Sequence, residues 1–139
     1  MRLLTWPLAF CTAIYPVVFV PRSFSRWPEI AKIAVLAHEE AHHRQQKVMG
    51  LWRFGWRYYL DRRFRWRVES WGYRREFWVY LKLGHNPDPA YYAQVLSGKL
   101  YGFMVSYDEA LVWSEKTLQQ LKNARCRAEP PKSPNTGGL

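Results

Sequence analysis

Residues 28–50, PEIAKIAVLAHEEAHHRQQKVMG, decide the fold because they predict a single helix of about six turns. Pro28 is tolerated in a first helical turn, and we predict that Ser23 or Ser25 supplies the N-cap. Gly50 is predicted to end the helix. The apolar residues that recur at helical spacing are Ile30, Ile33, Ala34 and Ala37.

Inside this helix, residues 38–42 read HEEAH, which is the HExxH motif. Side chains at positions i and i+4 project from the same helix face, so His38 and His42 can bind one Zn²⁺ ion. Glu39 lies one step round the helix and can act as general base toward a water on the metal. Gln45 is a candidate hydrogen-bond partner for His42. The alternative is a charged surface helix with two incidental histidines.

A catalytic zinc site usually needs a third protein ligand beside one open position. The candidates downstream of the motif are Asp61, Glu69, Glu76, His85 and Asp108. We predict Glu69, because the chain after His42 is long enough for a turn at Gly50 and a helix running back. Glu76, two turns further on the same face, is the alternative ligand. Glu69 could instead be a carboxylate paired with neighbouring arginines.

The chain resembles the gluzincin group of zinc peptidases, in which a glutamate on a later helix completes an HExxH site. It resembles small phage-encoded HExxH proteins more closely, over roughly residues 15–80. The segments that carry this resemblance are VVFVPRS at 17–23, AHEEAHHRQQ at 37–46 and LWRFGWRYYLDRRFRWRVES at 51–70. No Gly-x-x-His follows His42, so the metzincin extension is absent. Trp71 stands where such relatives often have a second acid.

The resemblance implies a minimal zincin-like domain that hydrolyses peptide bonds, with a peptide or protein as substrate. Glu39 would take a proton from the metal-bound water and pass it to the leaving amine. A further donor should stabilise the oxyanion, and we predict Tyr73 for this role. Tyr107 and His85 are the alternatives. The expected location is the host cytoplasm, with the virion as the alternative.

The composition indicates one folded domain, since the chain has 139 residues, of which 48% are hydrophobic. The net charge of +10 predicts attraction to polyanions: nucleic acid, an acidic membrane surface or an acidic protein. The two cysteines, Cys11 and Cys126, are too few and too far apart for a disulfide scaffold and fit a reduced setting. We expect the zincin-like domain to cover residues 1–123 and a flexible tail to cover 124–139.

The first twenty residues are predicted to form a β-ribbon. Residues 15–20 (YPVVFV) have the composition of a strand, and residues 8–13 are its expected hairpin partner. The strand could line a substrate cleft and pair with an extended peptide. Because the apolar run follows Arg2, export or membrane contact is the alternative. Pro7 and Pro16 interrupt the run below the ~20 residues that span a bilayer, so no transmembrane segment is expected.

Three later segments are predicted to be helical: 51–83, 89–97 and 107–123. The first is one long helix or two, broken near Asp61. Asp88 should cap the second helix. Ser106 and Glu109 form a capping box at the start of the last. The predicted fold class is therefore α+β, mostly α, with about four helices.

Arginine and tryptophan alternate through residues 51–78. Arginines contact phosphates and tryptophans stack on bases, so a basic nucleic-acid-binding module is one hypothesis. We favour a structural interpretation, in which tryptophans at helical spacing, such as Trp52 and Trp56, fill the core. Another alternative to the peptidase is a non-catalytic zinc-binding component of a phage particle, with a structural or host-interaction role.

Overall fold

The computed structural model describes residues 2–128, which fold as an α+β domain that is mostly α-helical. The elements in chain order are β1 (Arg2–Trp6), β2 (Thr12–Ile14), β3 (Val17–Pro21), α1 (Glu29–Met49), α2 (Leu51–Leu60), α3 (Arg62–Lys82), α4 (Pro89–Leu96) and α5 (Tyr107–Ala128). The prediction of a mostly helical α+β fold is confirmed. Among residues 2–128, no helix combines the length and apolar character needed to cross a bilayer.

The N-terminal ribbon is a three-stranded sheet in the order β1-β3-β2. β2 and β3 form an antiparallel hairpin as predicted, but β2 covers only Thr12–Ile14 and not the predicted residues 8–13. β1, which we did not predict, pairs with β3 in parallel. Buried Val18 and Val20 of β3 pack with Ala13 and Phe24, and Val35 of α1 covers this small core. The sheet is therefore fixed against the helix that carries the HExxH motif.

The two ends of α1 are defined by different residues, Pro28 at the start and Gly50 at the end. Pro28 occupies the N-cap position, and no side chain among the described residues caps the helix. The predicted cap by Ser23 or Ser25 is wrong, because both serines lie in a 3₁₀ helix, Arg22–Arg26, that precedes Pro28. At the other end, Gly50 has φ of 84°, a conformation that favours glycine. Gly50 ends α1 and is also the N-cap of α2, so the two helices follow directly.

The helical segment after Gly50 is interrupted at Asp61, as predicted, which separates α2 from α3. The Asp61 side chain accepts a hydrogen bond of 3.0 Å from the backbone N–H of Phe64 and caps α3. This bond is the main reason that the pKa of Asp61 is lowered. α3 then runs back along α1, and the contacts between these two helices are the most extensive in the domain.

The larger core lies where α3, α4 and α5 meet. Its buried residues are Tyr73, Phe77, Leu81, Tyr92, Ala93, Leu96, Met104, Ala110, Leu118 and Leu121. Asp88 accepts a hydrogen bond from the N–H of Ala90 and caps α4, and Ser106 and Glu109 form the predicted capping box. α5 runs to Ala128, so residues 124–128 of the predicted tail are helical. The rest of that tail, 129–139, lies outside the described residues.

The tryptophans of α2 are not in the core. Trp52 and Trp56 are 83% and 64% exposed, and Trp71 of α3 is 54% exposed. The prediction that these side chains fill the core is wrong for the two tryptophans of α2, because Phe54 already occupies the inward face of that helix, against Phe64. It is also wrong for Trp71, whereas Trp66 and Trp78 of α3 do pack against the larger core. Within residues 2–128, Cys11 and Cys126 are both free thiols.

Candidate metal centre

Two antiparallel helices bring the predicted ligands together. His38 and His42 lie one turn apart on α1, and Glu69 lies on the facing side of α3. The two Nε2 atoms are 2.9 Å apart, and Glu69 Oε2 is 3.3 Å from His38 Nε2 and 3.6 Å from His42 Nε2. All three side chains are buried, so the cluster is shielded from bulk water.

These three distances fit a tetrahedral zinc ion. Ligand atoms at 2.0–2.1 Å from zinc are separated from one another by about 3.3 Å in tetrahedral geometry. The triangle of Nε2, Nε2 and Oε2 has sides of 2.9, 3.3 and 3.6 Å, close to that value. Two imidazole nitrogens at 2.9 Å also need a shared proton or a shared cation between them. The donor set is therefore suited to a divalent ion.

The carboxylate of Glu69 is held so that one oxygen faces the histidines. The hydroxyl of Tyr58, from α2, donates a 2.5 Å hydrogen bond to Oε1. The other oxygen, Oε2, is buried and finds no hydrogen-bond partner among residues 2–128. A buried carboxylate oxygen without a partner is unfavourable unless something else, such as a cation, compensates it.

The second nitrogen of each imidazole faces an oxygen acceptor. His38 Nδ1 lies 3.3 Å from Glu76 Oε2, and the hydroxyl of Tyr92 donates a 2.7 Å hydrogen bond to Glu76 Oε1. His42 Nδ1 lies 3.1 Å from Gln45 Oε1, the contact anticipated from the sequence. Glu76 Oε2 therefore lies at Nδ1 of His38, outside the cluster formed by His38, His42 and Glu69, in a position suited to orienting the imidazole.

A glycine lets α3 approach the ring of His38 closely. A Cβ built at Gly72 would lie 2.7 Å from His38 Nε2 and 2.9 Å from both Cδ2 and Cε1. Because these three distances are nearly equal, that carbon would lie over the face of the ring and not along the lone pair of Nε2. The Tyr73 ring packs edge-to-face on the same imidazole, with centroids 4.4 Å apart. Gly72 and Tyr73 together fix the plane of His38.

Protons and charges are strongly coupled in this cluster. Burial lowers the pKa of His38, but its contacts with Glu69 and Glu76 outweigh burial and raise the pKa to about 10. Burial raises the pKa of Glu69, yet the charge of His42 and the contact with His38 hold it well below its usual range. The metal-free cluster thus keeps a proton on His38 beside an ionised carboxylate. A bound cation would take the place of that positive charge.

Glu39 is buried beside the triangle and contacts the sheet. Burial raises the pKa of its carboxyl group, although the two motif histidines and a backbone hydrogen bond from Ala13 oppose this shift. Its Oε2 is buried without a hydrogen-bond partner in the described part of the chain. About two turns further along α1, the side-chain amide of Gln46 donates to the carbonyl of Ala13 and accepts from the N–H of Tyr15, both at 2.8 Å. The outer edge of β2 is thus bonded to side chains of α1.

The site opens into a cleft of about 800 Å³ between the sheet and helices α1 to α4. The aromatic side chains that line it are Phe10, Trp27, Trp52, Phe54, Tyr58, Tyr73, Tyr80, Tyr91, Tyr92 and Tyr101. The predicted pairing of residues 15–20 with a peptide is wrong, because β3 is the central strand and both of its edges are paired. Cys11 also lines the cleft, and burial and the charge of Glu39 raise its pKa to about 12.

Of the three oxyanion candidates, the structure brings only Tyr73 into the cleft. Its hydroxyl lies 2.8 Å from that of Tyr101, which comes from a 3₁₀ helix at 99–101. Burial raises the pKa of both phenols well above the usual value, so both stay protonated. Tyr107 and His85 are exposed and do not line this cleft.

Four residues of the site were not anticipated from the sequence: Tyr58, Gly72, Tyr92 and Tyr101. Three are tyrosines in segments with many aromatic residues, where nothing distinguishes one hydroxyl from another. Gly72 did carry a signal, because an isolated glycine inside a helical pattern usually has a packing reason.

No protein family model matches this chain, and no curated protein or solved structure is significantly similar to it. The class of the site therefore rests on its own geometry. That geometry is a buried two-histidine, one-glutamate cluster on antiparallel helices, next to a second buried glutamate and an open cleft.

Proposed function

We propose that the protein is a zinc-dependent metallopeptidase-like hydrolase, with His38, His42 and Glu69 as metal ligands and Glu39 as general base. The observation that carries this proposal is the triangle of ligand atoms, with sides of 2.9, 3.3 and 3.6 Å around a carboxylate oxygen that no described group hydrogen-bonds. Two imidazoles and one carboxylate with a fourth position open toward a cleft are the donor set typical of catalytic zinc.

The identity of the metal follows from donor chemistry. Imidazole nitrogen suits zinc and other late first-row metals, whereas calcium and magnesium prefer shells made of oxygen atoms. The near-tetrahedral spacing and the small number of ligands favour zinc among these metals. When bound, zinc would polarise a substrate carbonyl and lower the pKa of a coordinated water.

The residues around the candidate metal ligands would have different roles in hydrolysis. Burial raises the pKa of the Glu39 carboxyl group, which suits it to taking up a proton and passing it to a leaving amine. Glu76 and Gln45 place oxygen atoms 3.3 and 3.1 Å from Nδ1 of His38 and His42, positions from which they can orient the two imidazoles.

The paired hydroxyls of Tyr73 and Tyr101 can stabilise an oxyanion. In such a pair one hydroxyl donates to the other, so one O–H hydrogen stays available. Since burial raises the pKa of both phenols well above the usual value, that hydrogen is present at neutral pH. The cleft lined by aromatic side chains is suited to apolar side chains of a peptide.

Elemental analysis combined with hydrolysis of a mixed peptide library tests the proposal. We expect about one zinc per chain in the parent protein and loss of zinc in Glu69→Ala. Glu39→Gln should keep zinc and lose hydrolysis. The matched control is Glu40→Gln, since Glu40 is the next residue and its partners, Arg44 and Arg75, are outside the metal cluster; it should keep both properties. A parent protein without zinc, or a fully active Glu39→Gln variant, would contradict the assignment.

A second candidate is a zinc site that serves structure alone, for example in a component of a phage particle. The contacts of Glu39 favour it, because this carboxylate is bonded to the backbone of Ala13 in the sheet and could be there for packing. This candidate predicts bound zinc, no peptide hydrolysis by the parent, and a loss of thermal stability in Glu39→Gln comparable to that caused by removing zinc.

A further inference from the structure

Four large side chains of α2 point away from the core. Trp52, Trp56, Tyr59 and Leu60 are 83%, 64%, 78% and 71% exposed, and we call this set the α2 ridge. The set follows the i, i+4, i+7, i+8 spacing of one helix face. Phe54, the buried residue of α2, lies on the opposite face. Single exposed aromatics are ordinary, but a contiguous row of this kind indicates an interaction surface.

The charge around the α2 ridge is positive. Arg53 lies on the exposed side of the same helix, and Arg62 and Arg63 are exposed at the start of α3. Asp61 is the one acidic residue in the sequence from 51 to 68, and its Oδ2 lies 3.9 Å from Arg57 Nη2. The chain as a whole has a net charge of +10. A partner for this surface should therefore be anionic.

We propose that the α2 ridge docks the protein on an anionic lipid surface. Tryptophan and tyrosine favour the headgroup region of a bilayer, because each combines a large apolar ring with one polar group. Arginines beside them keep their stems on the apolar face and their guanidinium groups among lipid phosphates. An amphipathic helix with this division of residues lies in the plane of the interface.

The shape and chemistry of the ridge favour lipid over nucleic acid. Stacked bases need aromatic platforms along a basic groove, whereas the ridge is the convex outer face of a helix. Leu60 offers no π-face for stacking, but its aliphatic side chain gains free energy from partial insertion among acyl chains. Trp52 lies at the rim of the cleft, but Trp56, Tyr59 and Leu60 do not line it, so the ridge can be tested at these three positions without altering the metal centre.

Co-sedimentation with vesicles tests the proposal on the full-length protein. We expect binding to vesicles of phosphatidylcholine mixed with phosphatidylglycerol, weak binding to phosphatidylcholine alone, and release by added salt. The double variant Trp56→Ser/Leu60→Ser should lower the partition coefficient on the anionic vesicles at least about tenfold. Arg53→Glu should lower it as well, through charge alone. These positions are exposed, so circular dichroism should show an unchanged helix content.

The matched control is Trp71→Ser, which removes a tryptophan that is 54% exposed on α3, outside the ridge. It should bind vesicles as the parent does. Failure of the parent to bind anionic vesicles, or equal binding by the parent and the double variant, would overturn the proposal. A single-stranded oligonucleotide serves as the rival ligand. Oligonucleotide binding that the double variant loses, without vesicle binding by the parent, would replace lipid by nucleic acid as the occupant.

Discussion

A methyl group added at Gly72 would meet the ring of His38, 2.7 Å from Nε2 and 2.9 Å from Cδ2 and Cε1. Ordinary van der Waals contact begins near 3.4 Å, so the imidazole must move by about 0.7 Å or more in Gly72→Ala. Metal ligation tolerates displacements of roughly 0.2 Å. The substitution should therefore disturb metal binding although it changes no candidate ligand.

The two consequences of Gly72→Ala differ in size. Alanine has the better helix propensity by about 1 kcal/mol, whereas overpacking against a buried ring costs about 1–3 kcal/mol. The metal-free variant should thus be less stable than the parent by at most about 2 kcal/mol. Substitutions around metal ligands lower affinity by about 10–100-fold, and a displaced ligand belongs at or above the upper end of that range.

Zinc titration against a chromophoric chelator and urea denaturation with and without zinc measure both effects. Zinc at about 100 times the parent's dissociation constant should stabilise the parent by about 2.7 kcal/mol and a variant with 100-fold weaker binding by about 0.4 kcal/mol. The matched control is Gly55→Ala on α2, where an added Cβ meets no atom within 4 Å. It should gain about 0.5–1 kcal/mol and keep zinc affinity. Parent-like zinc affinity in Gly72→Ala would refute the reasoning.

Three further predictions concern the groups around the ligands. The contacts with Glu69 and Glu76 outweigh burial and raise the pKa of His38 to about 10, so a proton must leave His38 when the metal binds. Zinc affinity should therefore rise about tenfold per pH unit between pH 7 and 9. A pH-independent affinity in the same chelator titration would contradict this. Glu76→Gln should weaken zinc binding by about 10–100-fold, because its contact with His38 Nδ1 loses a charge; unchanged affinity would remove its orienting role. Tyr58→Phe should lower the free energy of unfolding by about 1–3 kcal/mol in urea denaturation, because Glu69 Oε1 loses its hydrogen-bond donor. The control Tyr59→Phe, at an exposed neighbouring residue, should change the free energy of unfolding by less than about 0.5 kcal/mol.

Local signals accounted for much of the helical framework. The length of α1, the break at Asp61 and the capping box at Ser106 each depend on residues close together in the chain, so the sequence predicts them directly. The two histidines at i and i+4 share one face of α1 however that helix packs against the rest of the domain, so the sequence alone predicts that they lie together. The prediction of a serine cap failed because Pro28 itself occupies the N-cap position and both serines lie in the 3₁₀ helix that precedes it.

The surroundings of the ligands could not be predicted in the same way. The bond from Tyr58 to Glu69 depends on the angle between α2 and α3, and Tyr92 and Tyr101 reach the cleft from elements distant in sequence. Periodicity has a similar limit at Trp52: it shows that aromatic residues share a helix face, but not whether that face is turned inward or outward.

The bonds from Gln46 to the outer edge of β2 have a consequence for solubility. The carbonyl of Ala13 belongs to the edge strand β2, the N–H of Tyr15 directly follows that strand, and the side-chain amide of Gln46 occupies both groups. Without that amide, a second chain could add its own strand there, as in the early steps of β-aggregation. One glutamine on the metal-binding helix thus blocks intermolecular strand pairing at this edge of the sheet.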